Sequence, residues 1–345
     1  MPEQNHDFEG LAKKFDKSVM RKLLDDFAEQ AKTGLALAEK FDAKDFAGKK
    51  FGKVVFCGMG GSGIAGQVAK SVIEEKTGIP AFVVAGYSLP KFSDKDSLVV
   101  SLSYSGNTEE TLSCAKQARE KGIPMLAITS GGRLAQLEKN SVIVPGGRPP
   151  RASTGYTLFA LLACLEKIGV LPKSKELENA ASFANANLEK FGSEGKKIAE
   201  SLCGKIPVIY ACECFEPVAF RWHTQFSENS KAFSHYAVLP ELNHNELVGY
   251  RPFEEKLCFV FLRCETESPR IRERLELTKK IVAKKSHVEE VVCRGGSKLE
   301  MLLSLMLVGD YASYYLALLN GVDPTPVENI VFLKKSLHEK GFFED

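Results

Sequence analysis

Short apolar runs rich in β-branched residues alternate with helical stretches through most of the chain, and this alternation constrains the fold more than any other feature. The first set of candidate strands covers residues 53–57, 81–85, 98–102, 125–129 and 141–144. Strands buried on both faces have continuous apolar runs of this kind, and helical connections make neighbouring strands parallel. The pattern therefore predicts an α/β fold in which helices cover both faces of a parallel sheet.

The alternation stops at a Gly- and Pro-rich segment and then restarts. Residues 146–151 read Gly-Gly-Arg-Pro-Pro-Arg, which suits a linker or an ordered crossing loop. Helical stretches at about 157–167 and 174–202 follow. A second set of candidate strands lies at 206–211, 236–239, 257–262 and 288–293, interleaved with helices at about 216–226, 269–285, 298–319 and 326–338. The restart indicates a second α/β unit of similar plan.

The 345 residues are enough for two domains, each with its own core. Apolar residues between Phe15 and Ala38 recur at helical spacing, which predicts a packing arm at the N-terminus. We predict a helical arm over 1–50, a first domain over 51–152, connecting helices over 153–203 and a second domain with a C-terminal helix over 204–345.

Charge and hydropathy exclude several classes of partner. The 46 Lys and Arg residues nearly balance the 44 Asp and Glu residues, and no strongly basic segment stands out, so nucleic acid is not an expected partner. The N-terminus is polar and lacks a signal-peptide core. The apolar stretch 301–319 is interrupted by Gly309-Asp310, which predicts a buried helix rather than a membrane span. We expect no membrane partner and a cytoplasmic location.

The nine cysteines are scattered, odd in number and without a Cys-x-x-Cys pair. We interpret them as free, mostly buried thiols in a reducing compartment. Cys212-Glu-Cys214 could bind a metal, but no matching Cys or His pair accompanies it. No metal site is expected.

A hydroxyl-rich loop joins the third candidate strand to its helix. Residues 101–110 read Ser-Leu-Ser-Tyr-Ser-Gly-Asn-Thr-Glu-Glu, and a helix is expected from about 108 to 121. Asn107 can cap this helix, with Glu110 three residues later as in a capping box. A helix N-terminus attracts anions, and small hydroxylated residues let a phosphate approach it closely. The loop favours a site for a phosphorylated small molecule, although a loop that only caps a helix would look similar.

A Gly-rich turn follows the first candidate strand and opens a helix. Gly58-Met-Gly60-Gly-Ser62-Gly63 matches the dinucleotide-binding pattern. That pattern also needs an acidic residue about twenty positions further on, and residues 78–88 contain none. No Lys-Ser or Lys-Thr pair directly follows a glycine of the turn, as a Walker loop would require. The turn either brings backbone N–H groups and Ser62 close to a substrate or serves only strand–helix packing. Ligands of such sheets bind at the carboxyl ends of the strands, so both loops can face one pocket.

Judged by both loops together, the chain resembles the sugar isomerase (SIS) domain family. That family has a Ser-rich strand–turn–helix loop similar to residues 103–111. Three further features narrow the resemblance to the bifunctional phosphoglucose/phosphomannose isomerases. They are the presence of two such domains, the upstream Gly-rich turn and the downstream segment Leu242-Asn-His-Asn-Glu246, which occur in the order typical of that family. The resemblance implies two SIS-type, flavodoxin-like, doubly wound parallel-sheet domains with flanking helices. It also implies interconversion of hexose 6-phosphates without a metal or other cofactor. The substrate-binding residues it implies are Gly60, Gly61, Ser62, Ser103, Ser105 and Thr108.

Aldose–ketose isomerisation needs ring opening, a base that moves a proton between C2 and C1, and positive charge or N–H donors near the enediolate. The resemblance implies Glu228 as the base, at the end of an amphipathic helix whose Val218, Trp222 and Phe226 would face the core. From the residues alone, a solvated Glu at a helix end near Lys231 is the stronger explanation, and the family resemblance reverses that order.

The resemblance implies His244 for ring opening. Its Asn and Glu neighbours could fix the tautomer of the ring. In dimeric relatives this histidine comes from the neighbouring subunit, which implies a homodimer with a shared active site.

Two further positive charges are implied, each with a competitor. Arg151 matches the family's Pro-Pro-Arg and would stabilise the enediolate, with Arg148 as the alternative. Residues 327–335 match the family's last helix, which carries a lysine into the site; Lys334 is preferred and Lys335 is the alternative. Ile330 and Leu333 are three residues apart and are expected to face the core.

Two other functions compete with this interpretation. One is another SIS isomerase, acting on a pentose phosphate or an amino sugar phosphate. The second is a non-catalytic sugar-phosphate sensor. Sensors of this kind carry a basic helix-turn-helix segment, whereas residues 1–50 have mixed charge.

Overall fold

The computed structural model describes residues 6–249 and 251–340 and contains two separate parallel sheets. The first has five strands in the order β2-β1-β3-β4-β5: β1 Lys53–Gly58, β2 Ala81–Val84, β3 Ser97–Leu102, β4 Met125–Thr129 and β5 Ser141–Ile143. The second has four strands in the order β7-β6-β8-β9: β6 Ile206–Cys212, β7 His235–Leu239, β8 Leu257–Arg263 and β9 His287–Val292. The predicted fold class is confirmed, and the sheets fall within the two predicted domains. The domain boundaries themselves stay predictions.

The helices follow the predicted alternation closely. They are α1 Phe8–Phe15, α2 Met20–Asp25, α3 Phe27–Lys40, α4 Gly60–Lys76, α5 Glu109–Glu120, α6 Gly132–Leu137, α7 Thr154–Lys167, α8 Glu176–Leu202, α9 Glu216–Glu228, α10 Leu242–Asn245, α11 Pro269–Val282, α12 Lys298–Leu319 and α13 Glu328–Glu339. Short 3-10 turns include Pro150–Ala152 and Glu213–Phe215. The short helices α6 and α10 were not predicted, because so few residues carry no measurable helical period.

Both sheets are doubly wound, and successive strand residues face opposite layers. In β1, Val54 and Phe56 face the core that contains α4 and α7. Val55 and Cys57 face a smaller core formed with α5 and α6. The second sheet is arranged in the same way: Ile209 joins the large core, whereas Val208 packs with residues of α11.

One continuous apolar core joins the two sheets. It includes one face of each sheet together with residues of α3, α4, α7, α8, α9 and α12. Among the described residues, α12 alone has the length and apolar composition of a membrane span, and 94% of that apolar window is buried inside the protein. The predicted buried helix near the C-terminus is therefore confirmed. The shared core packs the two sheets against the same set of helices.

The N-terminal and C-terminal helices pack differently against the rest of the protein. The N-terminal segment is broken at Val19, which has φ 53° and is exposed, and its helices contribute Leu24, Phe27 and Ala31 to the central core. It is therefore part of the main body as well as an arm.

At the other end, Ile330 and Leu333 were expected to face the core, but they are 41% and 56% exposed. The apolar spacing in α13 marks an apolar face, but spacing cannot say whether the same chain covers that face.

Candidate active site

The Gly-rich turn and the hydroxyl-rich loop leave the same edge of the first sheet. Strands β1 and β3 are parallel neighbours, and Gly58 pairs with Leu102 at their carboxyl ends. The Ser62 hydroxyl accepts a hydrogen bond of 3.0 Å from the backbone N–H of Tyr104, which joins the two loops directly. The two loops meet, as their positions after neighbouring parallel strands predict, and that they line one pocket stays a prediction. Ser62 lies at their junction.

The loop over residues 103–108 is fixed by its own hydroxyls. The Ser103 hydroxyl donates to Thr108 Oγ1 at 2.9 Å and accepts from the N–H of Gly106 at 3.1 Å. Gly106 has φ 70°, and a Cβ there would lie 1.8 Å from the carbonyl oxygen of Gly131, so only glycine fits. Ser105 is exposed, whereas Ser103 is buried. The loop thus presents a preformed surface of hydroxyl and N–H groups at the start of α5.

The predicted cap of α5 is wrong. Thr108, rather than Asn107, occupies the N-cap position, and no side chain caps the helix there. The Asn107 side-chain oxygen instead accepts from the backbone N–H of Arg133 at 3.0 Å, which ties the loop to the start of α6. The N–H group that binds Asn107 belongs to α6. Because this helix was not predicted, the sequence analysis did not consider it as an alternative partner for the Asn107 side chain. The N-terminal N–H groups of α5 are therefore not occupied by an Asn107 cap.

Gly61 joins the first sheet to the crossing loop. It lies in the first turn of α4, and a Cβ at this position would meet the backbone nitrogen of Arg151 at 2.8 Å and its Cα at 2.9 Å. These distances are too short for any side chain. The crossing loop therefore runs directly against the Gly-rich turn.

The Arg151 side chain is buried and points toward the second domain. Its Nε donates to Asn229 Oδ1 at 2.6 Å, and its Nη2 donates to the carbonyl oxygens of Pro324 and Thr325, each at 2.8 Å. Nη1 lies 3.2 Å from Glu228 Oε2. Burial lowers the pKa of Arg151, while the charge of Glu228 opposes that shift. Nη1 carries two hydrogens, and its bond to Glu228 uses one of them.

A second buried ion pair holds the backbone of this loop. Arg221 binds Asp310 through two hydrogen bonds of 2.8 Å, and its Nη2 also donates to the carbonyl oxygen of Arg151 at 2.9 Å. Gln225 donates to the same carboxylate at 2.8 Å. Bidentate Arg–carboxylate pairs have strict geometry. The pair thus fixes Arg151 from behind.

Glu228 ends α9 as predicted, with Val218, Trp222 and Phe226 buried in the core. Its side chain is 24% exposed, so one face of the carboxylate is open. Lys231 lies beside it: its ammonium donates to the carbonyl oxygen of Glu228 at 2.7 Å. Burial lowers the pKa of Lys231, and the charge of Arg151 lowers it further. Arg151 therefore contacts the Glu228 carboxylate, and Lys231 contacts the backbone carbonyl of the same residue.

Arg148, the competitor of Arg151, faces a different element. Its Nη2 forms an ion pair with Asp26 at 3.1 Å, and its guanidinium stacks 5.5 Å from the centre of the Tyr156 ring. This geometry favours Arg151 as the cation next to Glu228.

His244 is not in a polar loop and its neighbours do not hold its ring, so both expectations are wrong. It lies in the short helix α10 and is exposed. Asn243 donates to Thr278, Asn245 donates to Glu241, and Glu246 binds Tyr210 and His235. Asn243 and Glu246 thus fasten this segment to adjacent elements, whereas Asn245 binds the residue that precedes α10.

His244 and Glu228 lie at opposite edges of the second sheet. Helix α9 runs antiparallel to the strands it connects, so Glu228 lies where β7 begins, and α10 follows the carboxyl end of β7. The five residues of β7 separate those edges by about 13 Å. Within one chain, the two side chains do not meet.

Lys334 and Lys335 are both exposed on α13, so the structure does not choose between them. The segment that leads into α13 is fixed at the site, because Arg151 binds the carbonyl oxygens of Pro324 and Thr325. The helix thus starts beside Glu228 and extends away from its own core.

Three contributors to this arrangement were missed at the level of sequence: Asn229, Lys231 and the pair of Arg221 with Asp310. Asn229 and Lys231 lie within three residues of Glu228, and that closeness in sequence was the available signal. The partner of Arg221 lies 89 residues away in sequence, and no local pattern indicates it. Among residues 6–249 and 251–340, no group of three or more His, Cys, Asp or Glu side chains is arranged to hold a metal ion.

Comparisons with known proteins agree with this architecture. Residues 48–165 match the SIS domain model, and residues 191–337 match the model of the bacterial phospho-glucose isomerase C-terminal SIS domain. The chain is 37% identical over 314 residues to a bifunctional phosphoglucose/phosphomannose isomerase of Thermoplasma acidophilum, covering 90% of this chain and 97% of that protein. It is 41% identical over 292 residues to the protein of the same name from Aquifex aeolicus, covering 82% of this chain and 90% of that protein.

A solved structure supports the fold alone. The C-terminal domain of glucosamine-fructose-6-phosphate aminotransferase from Francisella tularensis superposes with a TM-score of 0.74 at 18% identity, covering 89% of this chain and 98% of that one.

Proposed function

The chain belongs to the family of bifunctional phosphoglucose/phosphomannose isomerases, which makes it a sugar-phosphate isomerase, and we propose that it interconverts glucose 6-phosphate, mannose 6-phosphate and fructose 6-phosphate. The observation that carries the proposal is the contact of Gly61 with Arg151. That contact joins the hydroxyl-rich edge of the first sheet to the Glu228 carboxylate.

In this proposal the phosphate binds at the start of α5. Ser103, Ser105 and Thr108 supply hydroxyls, and the first-turn N–H groups supply the positive end of the helix dipole. Gly60, Gly61 and Ser62 line the path from the phosphate toward Arg151. The closeness of the two loops, joined through the Ser62 hydroxyl, supports this arrangement.

Glu228 is the proposed base that moves a proton between C2 and C1 without a metal. Its carboxylate is partly exposed and can accept the C2 proton of an aldose or the C1 proton of fructose 6-phosphate. Returning the proton to the other carbon completes the isomerisation. When the enediolate is protonated at C2, addition of the proton to one face or the other gives the two different aldoses. Arg151 is proposed to stabilise the enediolate with the second hydrogen of Nη1.

We propose that ring opening uses His244 of a second copy of the chain, assisted by Lys334, in a homodimer with a shared active site. The separation of His244 from Glu228 within one chain supports this. Helix α13 supports it as well, because it leaves four consecutive apolar residues exposed: Ile330, Val331, Phe332 and Leu333. An apolar surface of this kind is typical of an interface between subunits.

A mixing experiment tests the shared site. Glu228→Gln and His244→Gln dimers are each inactive in this account. After subunit exchange, half of the dimers are mixed and one of their two sites is intact, so activity should recover to about one quarter of wild type. Two inactive variants that stay inactive after verified exchange would contradict a shared site.

The function itself is tested by following fructose 6-phosphate with the purified chain and an excess of chelator. Formation of both glucose 6-phosphate and mannose 6-phosphate is expected. Complete loss of turnover with the chelator would contradict the metal-free mechanism, and absence of both aldoses under all conditions would contradict the function. A cytoplasmic location remains part of the proposal.

A further inference from the structure

The carboxyl edge of the second sheet forms a cleft that the proposed reaction does not use. Its volume is about 610 Å³, and it lies between the ends of β6 and β8 and the start of α12. It shares no residue with the Arg151–Glu228 site. Its lining includes Cys212, Cys214, Cys264, Ser297 and Lys298.

Two of these cysteines are in direct contact. Cys212 ends β6, and Cys214 lies in the 3-10 turn Glu213–Phe215 that leads into α9. Their Sγ atoms are 2.9 Å apart, and both thiols are free. Cys212 is buried and Cys214 is exposed, so a reagent from solvent reaches Cys214 first.

The surroundings of Cys214 favour its thiolate. A hydrogen bond from Cys212 lowers the pKa of Cys214 to about 7, and the charge of Lys298 lowers it as well. The Lys298 ammonium donates to the carbonyl oxygen of Cys214 at 3.1 Å and lies 4.7 Å from the centre of the Phe215 ring. The contact with Cys214 raises the pKa of Cys212, and burial adds to that shift, so Cys212 keeps its proton. One thiolate and one thiol thus face each other.

We propose that Cys212 and Cys214 form a reversible oxidation site, in which a hydroperoxide converts the two thiols to an intramolecular disulfide. The Cys214 thiolate attacks the terminal oxygen of the hydroperoxide, which leaves Cys214 as a sulfenic acid and releases an alcohol or water after protonation. The Cys212 sulfur then displaces the hydroxyl of that sulfenic acid. The S–S bond forms, the S–OH bond breaks, and the hydroxyl leaves as water with the Cys212 proton. A dithiol reductant reverses the change.

The geometry favours this chemistry over metal binding. In the part of the chain that the structure describes, no third ligand joins the pair to complete a metal site. The other thiols at this edge are also poor competitors for an oxidant. Cys264 and Cys293 are buried, and burial, together with contact with Cys264, raises the pKa of Cys293 to about 12.

Peptide mapping of the full chain tests the proposal. After brief treatment with hydrogen peroxide at neutral pH, the protein is denatured, alkylated and cut with trypsin. Cys212 and Cys214 are the two cysteines of the peptide 206–221. We expect this peptide to escape alkylation and to lose the mass of two hydrogens, and dithiothreitol should restore alkylation.

Cys203 is the matched control, since it is exposed and lies in the separate peptide 198–205. A thiol with pKa near neutrality is far more ionised at pH 7 than an ordinary cysteine, so Cys214 should react at least about fivefold faster than Cys203. Cys203 reacting first, or Cys214 passing to sulfinic acid without a disulfide, would overturn the proposal.

Two variants separate the steps. In Cys212→Ser, the sulfenic acid of Cys214 should persist and be trapped by dimedone. In Cys214→Ser, Cys212 should stay fully open to alkylation after denaturation. Loss of Cys212 alkylation in the Cys214→Ser protein would show that Cys214 is not the reacting group.

Discussion

The carboxyl edges of the two sheets occupy equivalent places in the fold but carry different chemistry. In the first sheet, the loop after β3 supplies Ser and Thr hydroxyls, and the turn after β1 is built of glycines. In the second, the loop after β8 contains Glu265 and Glu267, and the turn after β6 reads Cys-Glu-Cys-Phe. Hydroxyls and backbone N–H groups bind an anion by donating hydrogen bonds to it, whereas carboxylates repel an anion. The repeated architecture therefore carries the proposed sugar-phosphate site at one edge and a thiol pair at the other.

The two edges also differ in how they reach the rest of the molecule. Gly61 lets the crossing loop approach α4, so the first edge gains Arg151 and, through it, Glu228. At the second edge, the Glu267 carboxylate is held by Arg263 at 2.9 Å. The proposed site at the first edge thus depends on the residues that the crossing loop brings there.

The largest effect is expected from Glu228→Gln. Loss of the base should lower kcat about a thousandfold, within the range measured for general bases. Binding of fructose 6-phosphate should persist, because the amide oxygen can still accept from Arg151. Glu213→Gln at the second edge is the control and should keep wild-type kcat. Steady-state kinetics with calorimetric binding checks both. A binding protein without turnover would show no difference, because neither form would react.

Gly61→Ala should have the next largest effect. The added methyl would meet the Arg151 backbone at 2.8–2.9 Å, so the crossing loop must move and carry Arg151 away from Glu228. A displacement near 1 Å can lower kcat/KM about a hundredfold. Gly296→Ala at the second edge is the control. Its added methyl would have its nearest contact at 3.9 Å, so kcat/KM should equal that of the wild type. Equal losses in both variants would remove the distinction between the edges.

Ser105→Ala should change binding rather than chemistry. Its exposed hydroxyl makes one local contact, with the N–H of Asn107 at 3.3 Å, so the fold should be unaffected. Loss of one hydrogen bond to a charged phosphate should raise KM about tenfold with kcat unchanged. Thr266→Val in the equivalent loop of the second domain is the control. If KM rose in Thr266→Val and not in Ser105→Ala, the phosphate would bind at the second edge, and the proposed location would be wrong.

The smallest effect concerns the thiol pair and its pH dependence. The thiolate is the reactive form, so alkylation of Cys214 should accelerate as pH rises and be half-maximal near its pKa of about 7. In Cys212→Ala, loss of the donated hydrogen bond should shift the midpoint to higher pH. Iodoacetamide kinetics measured on peptide 206–221 gives both profiles. An unchanged midpoint would mean that Cys212 does not stabilise the thiolate.

The sequence predicted the strands and long helices well because their apolar patterns are local. The meeting of the Gly-rich turn with residues 103–108 was also predictable, since parallel strands bring their carboxyl ends together. Other features depend on contacts distant in sequence. Asn107 was assigned to the wrong partner because its acceptor oxygen binds Arg133 of an unpredicted helix. The direction in which α13 faces could not be read from spacing, which does not identify what covers a helix.

The most direct test of the account is hydrogen exchange of the Glu228→Gln protein with and without fructose 6-phosphate. Amides at 58–63 and 103–110 should become protected by the sugar phosphate, while those at 212–216 and 264–270 should exchange at the same rate in both states. Protection at the second edge, with no change at the first, would contradict the assignment of the sugar-phosphate site.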